Sequence, residues 1–282
     1  MIERLAIVGI GLLGGSVAKA ARAASLAREI VGIARDPRRV EAALRDGALD
    51  RVTDDVGSGV RDAELVVLAA PVLANERLLE RVWAAATDGA LITDVGSTKA
   101  GLARAAGRLH ATRRLGFVGS HPMAGSEQSG YGAARADLFR GALVIVTPTE
   151  TTEPRVVKAV SELWERVGAR VATLDPDTHD RVVAIVSHLP HLAAVALVDA
   201  VRRFEPGATA FAGRGFKDTT RIAAGDAAVW EEILFANRDA LLASCDAFRA
   251  ALDDLEHLMR AGDAAALRDR LVQVKQTREA MR

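Results

Sequence analysis

The sequence predicts an α/β domain with a parallel sheet, followed by an all-α domain. Up to about residue 174, short apolar runs alternate with segments of helical spacing, the pattern of a sheet covered by helices. After that point no run typical of a strand appears. Half of the 282 residues are apolar, which allows a sizeable core and excludes disorder as a description of the whole chain. We therefore predict two domains, residues 1–174 and 175–282.

Each element of the first domain follows from the local pattern. Apolar runs predict strands at residues 2–8, 30–33, 65–69 and 90–95, and apolar side chains at helical spacing predict helices at 15–24, 37–46 and 75–87. Further runs at 117–118, 143–146 and 171–174 are predicted to extend the same sheet, with a helix over 154–167. Strands connected by helices in this way lie parallel.

The second domain is predicted to consist of helices over 178–203, with Pro190 as a kink, over 227–259 after the N-cap residue Asp226, and over 262–282. The middle helix would be about 50 Å long, longer than a domain of ~100 residues is wide. Its apolar residues recur at spacings of three, four or seven, which favours a subunit interface. We therefore predict a homodimer formed through the C-terminal helices. The recurring residues are Trp230, Leu234, Leu241, Cys245, Phe248, Leu252 and Leu255.

Composition excludes several kinds of partner. Lys and Arg together number 37, as do Asp and Glu, so the basic excess typical of nucleic-acid binding is absent. No apolar run reaches the ~18–20 residues that span a bilayer, so we expect no membrane contact. The one cysteine, Cys245, excludes an intramolecular disulfide and a cysteine-rich metal site, and it fits a reducing compartment such as the cytoplasm.

A glycine-rich loop follows the first predicted strand. Gly9, Gly11 and Gly14 form a GxGxxG pattern between that strand and a helix, which is the context that a dinucleotide-binding loop requires. Gly9 permits a tight turn, Gly11 lets the backbone approach a pyrophosphate, and Gly14 lets the helix pack on the strand. Leu12 and Leu13 lie between these glycines, just before the predicted helix, whose N-terminus favours negative charge. We predict that these five residues bind NAD or NADP.

The end of the second strand bears on the choice of cofactor. NAD-selective sites carry an Asp or Glu there, about 20 residues after the glycine loop. Counting from the last glycine leads to Ala34, which has no carboxylate, and to Arg35, which could hold a 2′-phosphate. This favours NADP, while the neighbouring Asp36 leaves NAD open.

Four further segments carry conspicuous polar residues: DVGSTK at 94–99, GSHPMAGSE at 119–127, SHLPH at 187–191 and GFKDTTRIA at 215–223. Together with GIGLLGGS at 9–16, and in this order, they make the chain resemble the prephenate/arogenate dehydrogenase family of tyrosine biosynthesis. The resemblance spans nearly the whole chain. It implies an α/β Rossmann-type N-terminal domain followed by an all-α C-terminal dimerisation domain.

The resemblance implies oxidative decarboxylation of a cyclohexadiene that carries a 4-hydroxyl group, a ring carboxylate and an acidic side chain. From prephenate, this reaction yields 4-hydroxyphenylpyruvate and CO2. The resemblance implies that His121 is catalytic and accepts the hydroxyl proton, a role that suits imidazole because its pKa lies near working pH. Ser97 would orient this histidine and the hydroxyl group. Arg221 would bind a substrate carboxylate through its bidentate guanidinium.

Further substrate contacts are implied by the same resemblance. His191 is expected to bind the substrate, and Ser126 and Glu127 are expected at the mouth of the pocket. Trp230 is expected either as an aromatic wall beside the substrate or as the first core residue of the dimer interface. His188 is expected either in the wall of the site or as a packed core histidine.

Three expectations concern the surroundings of this pocket. Asp94, at the carboxyl end of its predicted strand, is expected beside the cofactor. No metal site is expected, because the two histidines of SHLPH are separated by a proline and lack a nearby carboxylate or cysteine. His110, His179 and His257 match no motif and are predicted at the surface.

Several alternatives stay open. An arogenate dehydrogenase would differ only in a substrate that carries an amino group where prephenate has a keto group, and a cyclohexadienyl dehydrogenase would accept both. A β-hydroxyacid dehydrogenase would use a lysine of the helical domain, for which Lys217 is the candidate. A non-catalytic nucleotide sensor would bind the cofactor without turnover. The intact motif residues favour an enzyme, and His191 together with Trp230 favours prephenate.

Overall fold

A parallel sheet of six strands dominates the N-terminal part of the computed structural model, which describes residues 1–113, 115–126 and 128–281. The strands are β1 (Ile2–Val8), β2 (Ala27–Ile33), β3 (Arg51–Thr53), β4 (Leu65–Leu68), β5 (Leu91–Asp94) and β6 (Gly116–Phe117). Their order in space is β3-β2-β1-β4-β5-β6, so the chain changes direction across the sheet between β1 and β4. In such sheets, ligands bind outside the carboxyl ends of the strands at this switch point.

Helices cover both faces of this sheet. Successive residues of a strand point to opposite faces, and accordingly Leu5 and Ile7 of β1 lie in one apolar core while Ala6 and Val8 lie in another. This arrangement confirms the predicted parallel α/β domain. The helices are α1 (Leu12–Ala23), α2 (Glu41–Arg45), α3 (Val56–Val60), α4 (Val72–Ala85) and α5 (Ala100–His110).

A second sheet corrects one prediction. The strands β7 (Gly119–Pro122), β8 (Leu143–Thr147) and β9 (Arg170–Thr173) form their own sheet, in which β7 is antiparallel to β8, and α6 (Pro154–Arg166) precedes β9. The predicted extension of the first sheet is therefore wrong beyond β6. Asp94 at the end of β5 accepts the backbone N–H of Ser120 (3.2 Å) on its carboxylate and the Ser120 hydroxyl (2.5 Å) on its carbonyl oxygen. These contacts replace a strand ladder between β5 and β7.

One long helical segment follows the second sheet. It consists of α7 (Pro176–Val183), a π-helical turn (Ala184–His188) and α8 (Leu189–Phe204). This confirms the predicted helix, with the irregularity one turn before Pro190, whose missing N–H disrupts the regular hydrogen-bond pattern. By length and composition alone, this segment could cross a membrane, so the expectation of no membrane contact stays a prediction.

The predicted continuous helix over 227–259 is also wrong. After α9 (Arg214–Thr220), the chain forms α10 (Ala227–Ala236) and α11 (Arg238–Ala261), which are separated at Asn237. This residue has φ −115° and ψ 28°, outside the helical region. Its side-chain amide donates to the carbonyl oxygen of Asp180 (2.7 Å) and to Nδ1 of His188 (3.2 Å), and these contacts hold the break in place.

The chain divides into two compact units, Met1–Asn237 and Arg238–Arg282. The second unit contains α11 and α12 (Ala264–Ala280), which are joined by a turn at Gly262 with φ +68°. Both helices expose large apolar side chains: Leu242, Phe248, Leu252, Met259, Leu271, Val272 and Val274.

Candidate active site

The glycine-rich loop forms a cradle at the switch point of the large sheet. Gly9 has φ +99°, and a Cβ there would lie 2.7 Å from the carbonyl oxygen of Ala69, directly after β4. A Cβ on Gly14 would overlap the carbonyl oxygen of Gly9, so both positions require glycine. A Cβ on Gly11 would meet only open space, at the N-cap of α1. Open space in front of a helix N-terminus fits the pyrophosphate of a dinucleotide. Leu12 and Leu13 begin α1 and are half-buried.

An asparagine that the sequence analysis missed lies on the same side of the sheet. Asn75, in the first turn of α4, is 1 % exposed, and neither atom of its side-chain amide has a hydrogen-bond partner in the described part of the chain. Its Nδ2 lies 3.7 Å from where a Cβ on Gly96 would stand, in the loop after β5. A buried amide without partners costs free energy unless a ligand or water satisfies it. This orphaned group therefore also fits a bound cofactor.

The end of β2 presents arginines. Ala34 is half-buried and Arg35 is exposed. The carboxylate of Asp36 accepts from the backbone N–H of Arg38 (3.2 Å) and from its guanidinium (3.0 Å), and it lies 3.7 Å from Arg39. The hydrogen bond from the Arg38 side chain holds the pKa of Asp36 below its usual value. This carboxylate is thus already engaged by neighbouring residues.

Asp94 lies in a buried network at the carboxyl end of β5. Its side chain is 1 % exposed and forms an ion pair with Lys99, which is equally buried. The same carboxylate accepts the backbone N–H groups of Gly96 (2.8 Å) and Ser120 (3.2 Å). Three buried groups therefore hold this carboxylate and fix the loops after β5 and before β7. The prediction that Asp94 binds the cofactor stays a prediction.

Lys99 holds the strand that carries the candidate catalytic histidine. Its Nζ donates to the carbonyl oxygen of Ser120 (2.9 Å), directly before His121 in β7. Burial lowers the pKa of Lys99, and the adjacent Asp94 opposes this shift. The Ser120 hydroxyl also accepts from the indole N–H of Trp164 (3.1 Å). The position of His121 is therefore set by buried groups on both sides of its backbone.

His121 is linked to a histidine that the sequence analysis placed at the surface. Its Nδ1 lies 2.9 Å from Nε2 of His179, whose Nδ1 lies 2.8 Å from Oδ1 of Asp180. His179 is 0 % exposed, so the surface prediction is wrong for this residue. Asp180 also accepts the backbone N–H groups of Lys99 (2.8 Å) and Ala100 (2.9 Å) at the start of α5. The other two histidines fit their prediction better, since His257 is exposed and His110 half-buried.

Burial sets the protonation states in this cluster. Together with the nearby His179, Lys99 and His188, it holds the pKa of His121 well below its usual value, so this imidazole is neutral near pH 7. Burial raises the pKa of Asp180, but the hydrogen bonds from His179 and from the two backbone N–H groups outweigh it and bring the pKa below its usual value. Asp180 is therefore ionised.

The SHLPH segment supplies a second wall. The π-helical turn ends at His188, which is 1 % exposed, accepts from Asn237 on Nδ1 and has an unpartnered Nε2. His191 is buried and stacks on Trp230, with ring centroids 3.5 Å apart and planes 9° apart. Its Nδ1 also has no partner in the described residues. Both rings therefore keep a nitrogen free for a ligand or water.

Other candidate residues form no hydrogen bond to the side chains of His121, His179 or Asp180 in the described residues. Ser97 is half-buried, and the described structure shows no hydrogen bond from its hydroxyl group to His121. Arg221 is exposed and forms no ion pair with Asp218 in the described residues, although it directly precedes Ile222, whose backbone contacts His191. Ser126 is exposed and accepts from the backbone N–H of Gln128 (3.2 Å). The predicted residue Glu127 lies outside the described residues.

Comparison with known proteins agrees with this arrangement. The family model "Prephenate dehydrogenase, nucleotide-binding domain" matches residues 17–173, and the model "Prephenate dehydrogenase, dimerization domain" matches residues 175–273. The chain is 35 % identical to a prephenate dehydrogenase of Bacillus subtilis, over 95 % of this chain and 73 % of the relative. It is 31 % identical to a cyclohexadienyl dehydrogenase of Zymomonas mobilis, over 100 % and 97 % of the two chains.

A solved structure gives the same comparison in three dimensions. The prephenate dehydrogenase of A. aeolicus, in complex with hydroxyphenyl propionate and NAD+, superposes with a TM-score of 0.93 at 32 % identity. The match covers 100 % of this chain and 99 % of that one. The nucleotide-binding fold and the helical C-terminal part are thus shared over the full length.

Proposed function

The chain belongs to the prephenate dehydrogenase family, and we propose that it catalyses the NAD(P)-dependent oxidative decarboxylation of prephenate to 4-hydroxyphenylpyruvate and CO2. One observation carries the proposal: a buried, neutral imidazole, His121, on a strand that is fixed to the carboxyl end of β5. A base of this kind suits a reaction that must remove a hydroxyl proton. A dinucleotide held with its pyrophosphate at the glycine-rich cradle would supply, in its nicotinamide, the acceptor for the hydride that leaves C4.

The protein contributes proton transfer, orientation and exclusion of water. His121 accepts the proton of the 4-hydroxyl group while the ring carboxylate leaves as CO2, and the electron pair of that bond makes the ring aromatic. Ser97, whose hydroxyl is not committed to His121, orients the substrate hydroxyl. His191 binds the substrate through its free nitrogen, with Trp230 as the aromatic support of its ring.

Charged and polar groups bind the two carboxylates of the substrate. Arg221, which has no ion pair in the described residues, is the group suited to a bidentate contact with a carboxylate. His188 lines the wall with an N–H on Nε2, because its Nδ1 accepts from Asn237. Ser126 is proposed at the mouth of the pocket, as the resemblance to the family also implies for Glu127.

We favour NADP as the cofactor. Position 34 has no carboxylate for the ribose 2′-hydroxyl, and the carboxylate of Asp36 is occupied by Arg38. Arg35 and Arg39 are exposed beside it, which suits a 2′-phosphate. Arg35→Ala should therefore weaken NADP binding about tenfold or more and leave NAD binding within about twofold, as for the loss of a charged hydrogen bond. Equal losses for both cofactors would contradict this preference.

We also propose the division of labour between the two domains. Residues 1–174 would bind the dinucleotide, and 175–282 would complete the substrate site and form a homodimer. The description of the second family model and the exposed apolar residues of α8, α11 and α12 support a dimer. The long helical segment keeps His179, Asp180, His188 and His191 buried, which supports a role in the catalytic unit and not in a membrane. A cytoplasmic enzyme without nucleic-acid partners fits this chemistry.

The deciding experiment combines two substrates with two cofactors. The purified protein is mixed with prephenate or arogenate and with NAD or NADP, and reduction of the nicotinamide is followed by absorbance. We expect turnover with prephenate and the faster rate with NADP. Turnover with arogenate alone would move the substrate to the amino analogue, and turnover with NAD alone would overturn the cofactor preference. No turnover in any of the four mixtures would overturn the proposed function.

A further inference from the structure

The carboxylate of Asp180 fixes the direction of a chain of hydrogen bonds. It is ionised and can only accept, and it takes N–H groups from Lys99, Ala100 and His179. The hydrogen between Asp180 and His179 must therefore be carried by Nδ1 of His179. In the tautomer with its one hydrogen on Nδ1, His179 has no hydrogen on Nε2, which is left as an acceptor.

The hydrogen bond between His179 and His121 then fixes the position of the hydrogen on His121. Nε2 of His179 lies 2.9 Å from Nδ1 of His121, and one of these two nitrogens must donate. Because Nε2 of His179 is an acceptor, the hydrogen is on Nδ1 of His121. A neutral His121 then carries an unprotonated Nε2, and the one side-chain hydrogen bond that the described residues give this ring is at Nδ1. The hydrogen bond made by one ring nitrogen of a histidine sets which nitrogen is protonated. Here the chain of hydrogen bonds from Asp180 through His179 sets it for His121.

We propose that His179 and Asp180 are positioning residues that hold His121 in the Nδ1–H form, so that Nε2 is the atom that accepts the substrate proton. This inference rests on the proposed function for its consequence but not for its geometry. In the reaction, the O–H bond of the 4-hydroxyl group breaks, an N–H bond forms at Nε2, and the electron pair stays on oxygen. The proton returns to the phenolate oxygen of the aromatic product.

The surroundings of His121 make this arrangement necessary. The charged and titratable groups that face it are His179, Lys99 and His188, and none of these is an anion. Asp94 is neutralised by Lys99. The positive charge that His121 acquires is therefore opposed by its neighbours, except through His179, whose ring connects it to Asp180. Without that link, His121 would be free to adopt the Nε2–H form, in which Nε2 cannot accept the substrate proton.

The protonation state can be measured without any reaction. The full-length protein is labelled with [15N]histidine, and long-range 1H–15N spectra distinguish Nδ1–H from Nε2–H rings, with His121 assigned by its loss in His121→Gln. We expect the Nδ1–H form in the wild type and a mixture or the Nε2–H form in His179→Phe. The matched control His257→Phe alters an exposed ring and should leave the His121 signals unchanged. An Nε2–H signal for His121 in the wild type would overturn the proposal.

Kinetics then test the consequence. In His179→Phe, kcat should fall by ~10²–10⁴, the usual contribution of general acid–base catalysis, while KM and the dissociation constant of the cofactor change less than about threefold. His179→Gln, whose amide can accept from Nδ1 of His121, should recover at least about a tenth of the lost activity on that scale. A role in packing alone would instead raise KM or weaken cofactor binding, and an unchanged kcat in His179→Phe would overturn the proposal.

The spectra and the kinetics together distinguish a failure of the proposed function from a failure of this proposal. If the wild type turns over no cyclohexadiene acid, the proposed function fails, but the spectra still decide the form of His121. If His179→Phe does not fold, as its circular dichroism spectrum would show, the wild-type spectra and His179→Gln still decide the proposal.

Discussion

Acid should destabilise this protein through His188 well before its carboxylates titrate. This ring is 1 % exposed, and burial lowers its pKa from 6.5 to about 4, against an opposing effect of Asp180. The unfolded chain binds a proton here below pH 6.5, whereas the folded chain does so only near pH 4. The free energy of unfolding therefore falls as the pH falls through this window, and the effect of His188 is complete below it.

The shift gives the size of the effect. Each pKa unit corresponds to about 1.4 kcal/mol, so the interval from 6.5 to about 4 amounts to about 3 kcal/mol for this one group. The pKa values of His121 and His191 are also lowered by burial and add to the slope in the same direction. Asp180, whose pKa is below its usual value, loses its contribution only at lower pH.

The variant His188→Phe tests this effect, because it removes the titrating group but keeps an aromatic ring beside Trp230. In the wild type, the ring centroids of His188 and Trp230 lie 6.2 Å apart. Urea unfolding is measured from pH 7 to pH 4.5 in the wild type and the variant. We expect the loss of stability over this range to be about 2–3 kcal/mol smaller in the variant, at most about 1.4 kcal/mol per pH unit. The same slope in both proteins would refute a buried, neutral His188. His257→Phe, at an exposed position, should keep the wild-type slope.

The remaining predictions concern the cradle and the buried ion pair. Lys99→Met should lower the free energy of unfolding by about 3–5 kcal/mol in urea, because it leaves Asp94 buried without its counter-ion, and a loss below about 1 kcal/mol would contradict this. Gly14→Ala should lower both Tm and cofactor affinity, whereas Gly11→Ala, whose Cβ meets open space, should lower only the affinity; titration calorimetry and thermal unfolding check both. Asn75→Ala should weaken cofactor binding about two- to tenfold, as for one hydrogen bond, without lowering the Tm of the cofactor-free protein, and an unchanged affinity would contradict the contact.

Local patterns were sufficient for the strands that lie inside the parallel sheet. The runs at β1 and β4 are continuous and apolar because both faces of these strands are covered, and that signal needs no knowledge of the neighbours. The position of β7 to β9 depends on a tertiary contact instead. Nothing in the sequence of β7 shows that its Ser120 pairs with Asp94, so a separate sheet could not be distinguished from an extension of the first.

The same difference explains which site residues were found. The segments GSHPMAGSE and SHLPH, which carry the resemblance to the family, located His121 and His191. The groups that hold them occupy ordinary helical sequence, as His179 and Asp180 do in α7. One signal was available: in the long helix, positions three and four residues apart bury the same face, and stepping back from His188 along that face leads to α7. The π-helical turn adds one residue between His188 and α7, so the regular spacing of three or four residues does not connect them.

The break at Asn237 shows why a regular apolar pattern can still mislead. The seam from Trp230 onward has the spacing of one long helix, and no glycine or proline interrupts it. The helix ends there because the amide of Asn237 is used twice, by the carbonyl oxygen of Asp180 and by His188. Both partners belong to the long helical segment that also carries His179. The break thus follows from tertiary contacts of Asn237, and the spacing of apolar residues along the sequence does not reveal such contacts.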